Sequence, residues 1–179
     1  RSTLCSRMCA RSSRAYEGYS MKRVEQAVTH IKNAIDQKTI LEVACGCAEF
    51  SISASKFAKQ VNCIDLEGKR LSPAWETVPN MQFDIMDAAN MLFKSNTFDT
   101  IIVYNALEHI RYNLENILKE CRRVLRHDGN IYIISSYKMD KAIIEEYLIP
   151  ILKENPIDFC SDIVPPFYYI RFNSMFVPK

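Results

Sequence analysis

Residues 41–50 read LEVACGCAEF, a buried-strand pattern that passes into a tight turn around Gly46. A glycine turn between a strand and a helix often binds a nucleotide, because the backbone there can approach the ligand closely. Such turns usually contain three glycines, whereas Ala44 and Ala48 stand at the two other positions here. Taken by itself, the turn is therefore a weak indication of a nucleotide site.

Carboxylates follow at the predicted ends of the next strands. Asp65 comes nineteen positions after Gly46, the spacing at which an acidic residue commonly binds the two hydroxyls of a ribose. Asp87 follows the next apolar segment, and Glu42 interrupts an otherwise apolar strand, where a carboxylate needs a partner. Asp65 could instead cap a helix or form a turn, and Asp87 could start a short helix. Their repeated position at strand ends favours a ligand site.

The segment YNALEHI, residues 104–110, follows the most clearly buried strand. His109 is our candidate general base, with Glu108 beside it, because a positioned imidazole or carboxylate can accept a proton from a reacting group. Two alternatives for His109 stay open: it caps the following helix, or it packs against a bound cofactor. Tyr104 and Asn105 are expected to line the same site.

Strand-like and helix-like apolar patterns alternate along the chain. We predict helices over 15–35, 50–57, 114–125 and 138–153, a turn at Asp128–Gly129, and strands over 39–44, 61–66, 81–85, 98–104, 130–135, 157–164 and 168–177. Strands joined by helical crossovers form parallel sheets, with the ligand at the carboxyl ends of the strands. The predicted fold is α/β: a Rossmann-like, doubly wound, mostly parallel seven-stranded sheet with an antiparallel C-terminal strand and helices on both faces.

Four segments together resemble the class I S-adenosylmethionine (SAM)-dependent methyltransferases, in particular the small-molecule branch. They are ILEVACGCAEFS, CIDLEGKRL, FDIMDAANMLF, and FDTIIVYNALEHI with the following LENILKECRRVLRHDGNIYIISSY. The resemblance covers about residues 15–179. It implies SAM as cofactor and S-adenosylhomocysteine (SAH) as product. It also implies a cofactor site formed by Glu42, Ala44, Cys45, Gly46, Asp65, Leu66, Asp87, Ala88, Tyr104 and Asn105, in which Asp65 binds the ribose and Asp87 and Ala88 lie at the adenine.

The turn departs from the family pattern, which usually has glycine where Ala44 and Ala48 stand. We expect Ala44 to be a mild change, since alanine fits most conformations with negative φ. A Cβ at Ala48 would crowd the methionine part of the cofactor, or strain the turn if its φ is positive. Weaker cofactor binding is the expected consequence.

The implied partner is a small-molecule methyl acceptor. No Asn/Asp-Pro-Pro-Tyr follows residue 104, no nucleic-acid module is visible, and 137–157 reads as a single helix without room for a large substrate domain. The N-terminal segment with Tyr16 and Tyr19 is the expected lid over the acceptor. A catalytically inactive, methyltransferase-like binding protein remains an alternative.

The overall composition limits the class of protein. With 179 residues, 48% hydrophobic and 25% charged, the chain suits one globular domain, and its net charge of +2 does not favour a polyanionic partner. We expect a basic flexible leader over 1–14 and a single methyltransferase-like domain over 15–179. The basic residues of the leader, together with Lys22 and Arg23, are expected to be solvated. No apolar run approaches a membrane span and no signal peptide is visible, so we expect a cytoplasmic protein without membrane contact.

The seven cysteines are an odd number scattered through predicted core elements, which favours reduced thiols over a disulfide framework. Cys63 and Cys121 suit small core residues. A second alternative is a thiolate site for zinc or a metalloid, formed by Cys5, Cys9, Cys45 and Cys47. Their C-x₃-C and C-x-C spacings are unusual for zinc, so we predict no metal site.

Overall fold

The computed structural model describes residues 22–154 and 159–173. The helical segments are 22–30 (α1), Lys32–Ile35 (α2), Glu49–Ala54 (α3), Leu107–Ile110 (α4), Leu114–Val124 (α5), Tyr137–Ile143 (α6) and Ile149–Glu154 (α7). A π-helical segment, Ile144–Leu148, joins α6 to α7, and short 3-10 turns cover Pro73–Thr77 and Arg111–Asn113. The predicted leader, lid, Cys5 and Cys9 lie outside the described residues.

Within residues 22–154 and 159–173, seven strands form one sheet, as predicted. They are Thr39–Val43 (β1), Gln60–Asp65 (β2), Met81–Ile85 (β3), Phe98–Tyr104 (β4), Leu125–Ser136 (β5), Phe159–Val164 (β6) and Phe167–Asn173 (β7). The order is β3-β2-β1-β4-β5-β7-β6, in which β7 runs antiparallel to both of its neighbours and the other pairs are parallel. From β1 the chain first adds β2 and β3 on one side of the sheet and then crosses to add β4 and β5 on the other side. The strand order therefore reverses at β1, where a ligand crevice is expected.

Buried side chains form two clusters, because the sheet is covered on both faces. One joins α1, α2 and α3 to the sheet around Ile35, Phe50 and Phe167. The other packs α5 and the α6–α7 run around Leu118, Phe98 and Leu148. Burial of continuous apolar runs such as β4 on both faces explains why these strands lack a polar–apolar alternation. Within the described residues, no helix has the length and hydropathy needed to cross a membrane.

The predicted turn at Asp128–Gly129 is wrong, since both residues belong to β5. The pairing of β4 with β5 shifts between Phe98↔Leu125 and Thr100↔Asn130, so β5 bulges over the residues in between. Gly129 is required in this bulge. A Cβ there would lie 2.6 Å from Leu125 Cδ1 and 2.9 Å from the Asp99 carbonyl oxygen.

Candidate functional site

A cavity of about 400 Å³ opens where the first four strands end. The carboxyl ends of parallel strands at an order reversal are the usual ligand position in this class of fold, and the volume lies in the usual range for small-molecule sites. It is lined by Ala44, Asp65, Leu66, Glu67, Arg70, Met86, Asp87, Ala88, His109, Ile110, Asn113 and Ile117. Six predicted site residues therefore meet in one place: Ala44, Asp65, Leu66, Asp87, Ala88 and His109.

The Asp65 side chain, at the end of β2, is hydrogen-bonded to the turn that follows β1. Its Oδ2 accepts a hydrogen bond of 2.8 Å from the Gly46 amide, and its Oδ1 accepts a longer one, 3.4 Å, from the Glu67 amide. The parallel pairing of β1 with β2 extends beyond the strands, since the Cys45 amide donates to the Ile64 carbonyl at 3.0 Å. The side chain of Asp65 is 8% exposed, so a carboxylate stands at the cavity wall and also fixes the glycine turn.

The turn itself has three left-handed residues at alternate positions: Ala44 (φ 55), Gly46 (φ 56) and Ala48 (φ 58). The expectation of a negative φ at Ala44 is wrong, so Ala44 is as strained as Ala48. Ala48 does not crowd the cavity, because its fully buried methyl group packs in the core cluster of α1 and α3. Apart from Gly46 and its two chain neighbours, no atom of the described residues lies within 4 Å of the position a Cβ would occupy at Gly46, which leaves room for a ligand beside the backbone.

Asp87 follows β3 and forms a turn, not the short helix considered as an alternative. Its Oδ1 accepts a hydrogen bond of 2.9 Å from the Ala89 amide, and its carbonyl accepts one of 3.0 Å from Asn90. Asp87 is exposed and Ala88 is buried, so this turn gives the cavity one polar and one apolar wall.

His109 and Glu108 lie in the short helix α4, which follows β4. His109 lines the cavity, whereas the Glu108 carboxylate pairs with the Arg111 guanidinium at 2.6 Å. Arg111 in turn donates a hydrogen bond of 2.7 Å to the Tyr112 hydroxyl. The imidazole is therefore available at the cavity, and the neighbouring carboxylate is held by a cation.

Asp140 in α6 is a polar residue that the sequence analysis missed. It is 6% exposed, and α6 packs against α4. Burial raises the pKa of its carboxyl, the Ser135 side chain lowers it, and the charges of Glu108 and His109 act more weakly in opposite directions. An aspartate in an amphipathic helix resembles a surface residue, so no sequence signal distinguished it. It adds a second acidic group beside the helix that bears His109.

Glu42 lies beneath the site and does not line the cavity. Its Oε2 accepts hydrogen bonds from the Ser51 amide at 3.0 Å and the Ser51 hydroxyl at 2.5 Å. Burial raises the pKa of Glu42 to about 8, although the bonds from Ser51 lower it. Glu42 thus links β1 to the start of α3 and stabilises the turn between them.

Tyr104 and Asn105, at the end of β4, also lie outside the cavity lining. The ring of Tyr104 packs between Phe50 and Phe167, with centroid distances of 5.2 and 5.7 Å. Asn105 has a left-handed backbone (φ 48), and its Oδ1 accepts a hydrogen bond of 2.8 Å from the Ser136 amide. Asn105 therefore fixes the end of β4 to the end of β5.

The cysteines of the described residues form no disulfide, and Cys45, Cys63 and Cys121 are buried thiols. Cys45 is buried against Cys63, and both the hydrogen bond between them and burial raise the pKa of the Cys45 thiol. Burial likewise raises the pKa of Cys121 to about 12. In the part of the chain that the structure describes, no three His, Cys, Asp or Glu side chains are grouped as metal ligands would be.

The cavity fits the adenosyl group of SAM. Asp65 offers a carboxylate at the end of β2 for hydroxyl donors, and Asp87 offers another at the end of β3 for an amino group. Ala44, Met86, Ala88, Ile110 and Ile117 supply an apolar lining suited to a flat base. The open space beside Gly46 permits the close approach that the turn was predicted to need.

A family model and a curated relative match the sequence of this chain. Residues 41–133, more than half of the chain, match the family model described as "Methyltransferase domain". A demethylmenaquinone methyltransferase of Thermotoga maritima is 25% identical over 115 residues, which cover 63% of this chain and 48% of that enzyme. The chain thus spans about half the length of this curated relative.

Two solved structures share the fold. A SAM-dependent methyltransferase from Aquifex aeolicus superposes with a TM-score of 0.62 at 16% identity, covering 83% of this chain and 88% of that one. A protein from Pyrococcus horikoshii gives a TM-score of 0.64 at 20% identity, covering 90% and 91%. With the family match and the cavity described above, these relationships show that the chain belongs to the class I S-adenosylmethionine-dependent methyltransferases, with SAM as its cofactor.

Proposed function

We propose that this chain transfers the methyl group of SAM to a small-molecule acceptor. The observation that carries the proposal is the convergence of Ala44, Asp65, Asp87, Ala88 and His109 on one cavity of about 400 Å³ at the carboxyl ends of β1–β4. A cofactor pocket and a candidate base share this cavity, which an inactive binding protein would not require.

Bound SAM supplies an electrophilic methyl group on a sulfonium, and transfer requires the acceptor atom in line with it. Asp65 accepts hydrogen bonds from the ribose hydroxyls through the carboxylate that also fixes the Gly46 turn. Asp87 accepts from the adenine amino group, while Leu66 and Ala88 contact the base. The Cys45–Gly46 backbone, Tyr104 and Asn105 do not line the cavity, and we assign them to the amino-acid end of the cofactor from their position at the ends of β1 and β4.

His109 accepts the proton of the acceptor, since it is the imidazole on the cavity wall. Glu108 acts indirectly in this proposal, because its carboxylate is paired with Arg111. Asp140 is buried beside α4, and because burial raises the pKa of its carboxyl, we give it no part in the proton transfer.

A small acceptor is supported by the size of the cavity and by the chain between β5 and β6. The continuous helical run Tyr137–Glu154 occupies nearly all of that connection, which leaves no room for an inserted substrate domain. The Thermotoga relative is named for a small acceptor, demethylmenaquinone, which makes quinone-like compounds a reasonable first group to screen.

Calorimetry with SAH tests the cofactor site directly, and transfer of a labelled methyl group from SAM to a panel of small acceptors tests the activity. We expect SAH to bind wild-type protein and Asp65→Ala to lose that binding. Binding of SAH without transfer to any acceptor class would favour the inactive alternative. Absence of SAH binding would contradict the proposed function.

A further inference from the structure

We propose that a second cavity, on the sheet face that α1 and α2 cover, binds a small aromatic acid, with Arg171 as the partner of its carboxylate or phosphate group. The cavity has a volume of about 290 Å³ and lies against β5, β7 and β6, beside the end of α1. Of the described residues that line it, none also lines the cofactor cavity. The inference therefore goes beyond methyl transfer and does not depend on it.

The strand pairing sets the order of the groups on the floor of this cavity. Arg171 of β7 lies opposite Tyr132 of β5 on one side and opposite Cys160 of β6 on the other. Directly paired residues of antiparallel strands point to the same face of the sheet, with Cβ atoms about 4.5–5.5 Å apart. A flat ring that packs on Tyr132 therefore brings an attached acidic group within reach of the Arg171 guanidinium.

The guanidinium of Arg171 is available to such a group. Its side chain is exposed, and among residues 22–154 and 159–173 no hydrogen bond or ion pair engages the guanidinium. A guanidinium presents parallel N–H donors that match the two oxygens of a carboxylate or phosphate. An aromatic acid can use both this charge and the neighbouring ring, whereas a neutral aromatic molecule can use only the ring.

A carboxylate also lines the cavity, at the end away from Arg171. Asp162 of β6 is paired across the strands with Tyr169, two residues before Arg171 in β7, and two residues span about 6.5 Å along a strand. Its Oδ2 lies 3.8 Å from Nε2 of His30, at the end of α1. The acidic and the cationic ends of the cavity are thus separate, and an incoming acid is directed to Arg171.

Tyr169 forms the wall between these two ends. Its ring centroid lies 4.1 Å from that of His30, and the residue is only 4% exposed. Its hydroxyl has no hydrogen-bond partner within the described residues, which is uncommon for a buried polar group. Burial, followed by the charge of Asp162, raises the pKa of Tyr169 to about 12, so the hydroxyl is a neutral donor that an oxygen of a ligand would satisfy.

The volume restricts the ligand to about one ring. Small-molecule sites usually begin at about 300 Å³, so a cavity of about 290 Å³ suits a single ring with an acidic substituent and is too small for a nucleotide. Benzoate and phenyl phosphate have this size and carry the two kinds of acid. Benzamide has nearly the same shape as benzoate without the charge, so it is the matched control ligand.

Calorimetry with these three compounds tests the assignment. We expect the acids to bind with dissociation constants of about 1 mM or tighter, and benzamide about tenfold more weakly or worse, because it lacks the charge-assisted hydrogen bonds to Arg171. The acid that binds more tightly shows whether carboxylate or phosphate is the preferred group. Arg171→Met should lower the affinity for benzoate to that for benzamide, and Arg171→Lys, which keeps the charge without the planar fork, should restore part of it. Lys153→Met removes an exposed cation from α7, on the other face of the sheet, and should change neither affinity.

Histidine NMR signals show where the acid binds. The chain has three histidines, of which His30 lines this cavity and His109 lines the cofactor cavity. Benzoate should shift the signals of His30 and leave those of His109 unchanged, with or without SAH. Shifts at His109 instead of His30, displacement of benzoate by SAH, equal affinities for benzoate and benzamide, or an undiminished benzoate affinity in Arg171→Met would overturn the assignment. These outcomes leave the proposed function intact, because SAH binding is measured separately.

Discussion

The amide of Gly46 donates a hydrogen bond of 2.8 Å to Oδ2 of Asp65, nineteen residues later in the chain. One carboxylate thus lines the cofactor cavity and fixes the turn that borders it. The two roles are linked, because a change at Asp65 removes both a polar group of the cavity wall and the support of the turn. This relationship gives the first of five predictions.

Asp65→Ala should abolish SAH binding, and it should also destabilise the protein, since it removes the acceptor of the Gly46 amide. Wild-type protein with SAH at 100 times its dissociation constant should gain about 2.7 kcal/mol of unfolding free energy, and the variant should gain none. Chemical denaturation with and without SAH measures both effects. Asp65→Asn keeps an oxygen for the Gly46 amide, so it should retain more stability than Asp65→Ala. An undiminished gain in the alanine variant would show that Asp65 does not contact the cofactor.

Ala44→Gly should stabilise the protein by about 1 kcal/mol, because it relieves a left-handed alanine (φ 55). Ala48→Gly is the matched control. It relieves the same strain (φ 58) but removes a fully buried methyl group, worth about 0.8 kcal/mol, so the net change should be near zero. Urea denaturation of both variants checks the difference. Equal effects would mean that the burial of the Ala48 methyl contributes nothing.

Glu42→Gln should change how stability depends on pH. The folded-state pKa of Glu42 is raised to about 8 from an ordinary value of 4.5. The folded state therefore holds a proton that the unfolded state releases between these values, and wild-type stability falls as pH rises through this window.

The glutamine side chain does not titrate, so the Glu42→Gln variant lacks this contribution to the pH dependence of stability. The stability of wild type relative to Glu42→Gln should therefore fall between pH 4.5 and 8, by up to about 1.4 kcal/mol per pH unit. Denaturation curves at pH 5, 6, 7 and 8 measure it, with the exposed Glu76→Gln as control. Parallel curves for wild type and Glu42→Gln would show that Glu42 titrates normally.

Gly129→Ala should destabilise the protein by about 1–3 kcal/mol, since the new Cβ meets Leu125 Cδ1 at 2.6 Å and the Asp99 carbonyl at 2.9 Å. The backbone oxygen cannot move away without disturbing the bulge of β5. Gly68→Ala is the control, because its closest contact is Phe83 Cε1 at an ordinary 3.4 Å. Thermal denaturation compares the two, and similar melting temperatures would contradict the packing argument.

No side-chain hydrogen bond caps the helical segments that follow α4, so two roles of His109 remain, and His109→Asn distinguishes them. If His109 is the general base, kcat should fall about 10²- to 10⁴-fold with little change in SAH affinity. If it only packs against the cofactor, SAH affinity should fall and kcat should not. Steady-state rates with an acceptor found by screening, together with calorimetry, separate these outcomes. Glu108→Gln should have the smaller effect on kcat, because its carboxylate is exposed and already paired with Arg111.

The strands and several residues that line the cavity were predictable, because both depend on local sequence. Continuous apolar runs such as β4 can only be buried on both faces, which requires helices on both sides of a parallel sheet. The rule that ligands bind at the carboxyl ends of such strands then selected Asp65, Asp87 and His109. All three line the cavity.

Backbone conformation and long-range contacts were not predictable in the same way. The sign of φ at Ala44 is set by the hydrogen bonds that fold the turn against β2, and no property of alanine indicates it. Glu42 was expected at the cofactor, but its hydrogen-bonding partner, Ser51, becomes its neighbour only when α3 packs on β1. The need for glycine at position 129 likewise arises only when β5 pairs with β4, because a Cβ there would then meet Leu125 and the Asp99 carbonyl oxygen.

The sequence by itself determined the α/β architecture and most of the adenosyl side of the site, because the periodicity of apolar residues and the residues at strand ends are properties of short segments. Only the tertiary structure decided which polar side chains line the cavity and which support the fold. Asp140 came close to His109 only when α6 packed against α4. Those contacts join residues that are far apart in the chain, and the energy of a buried or paired charge depends on such neighbours and not on local sequence.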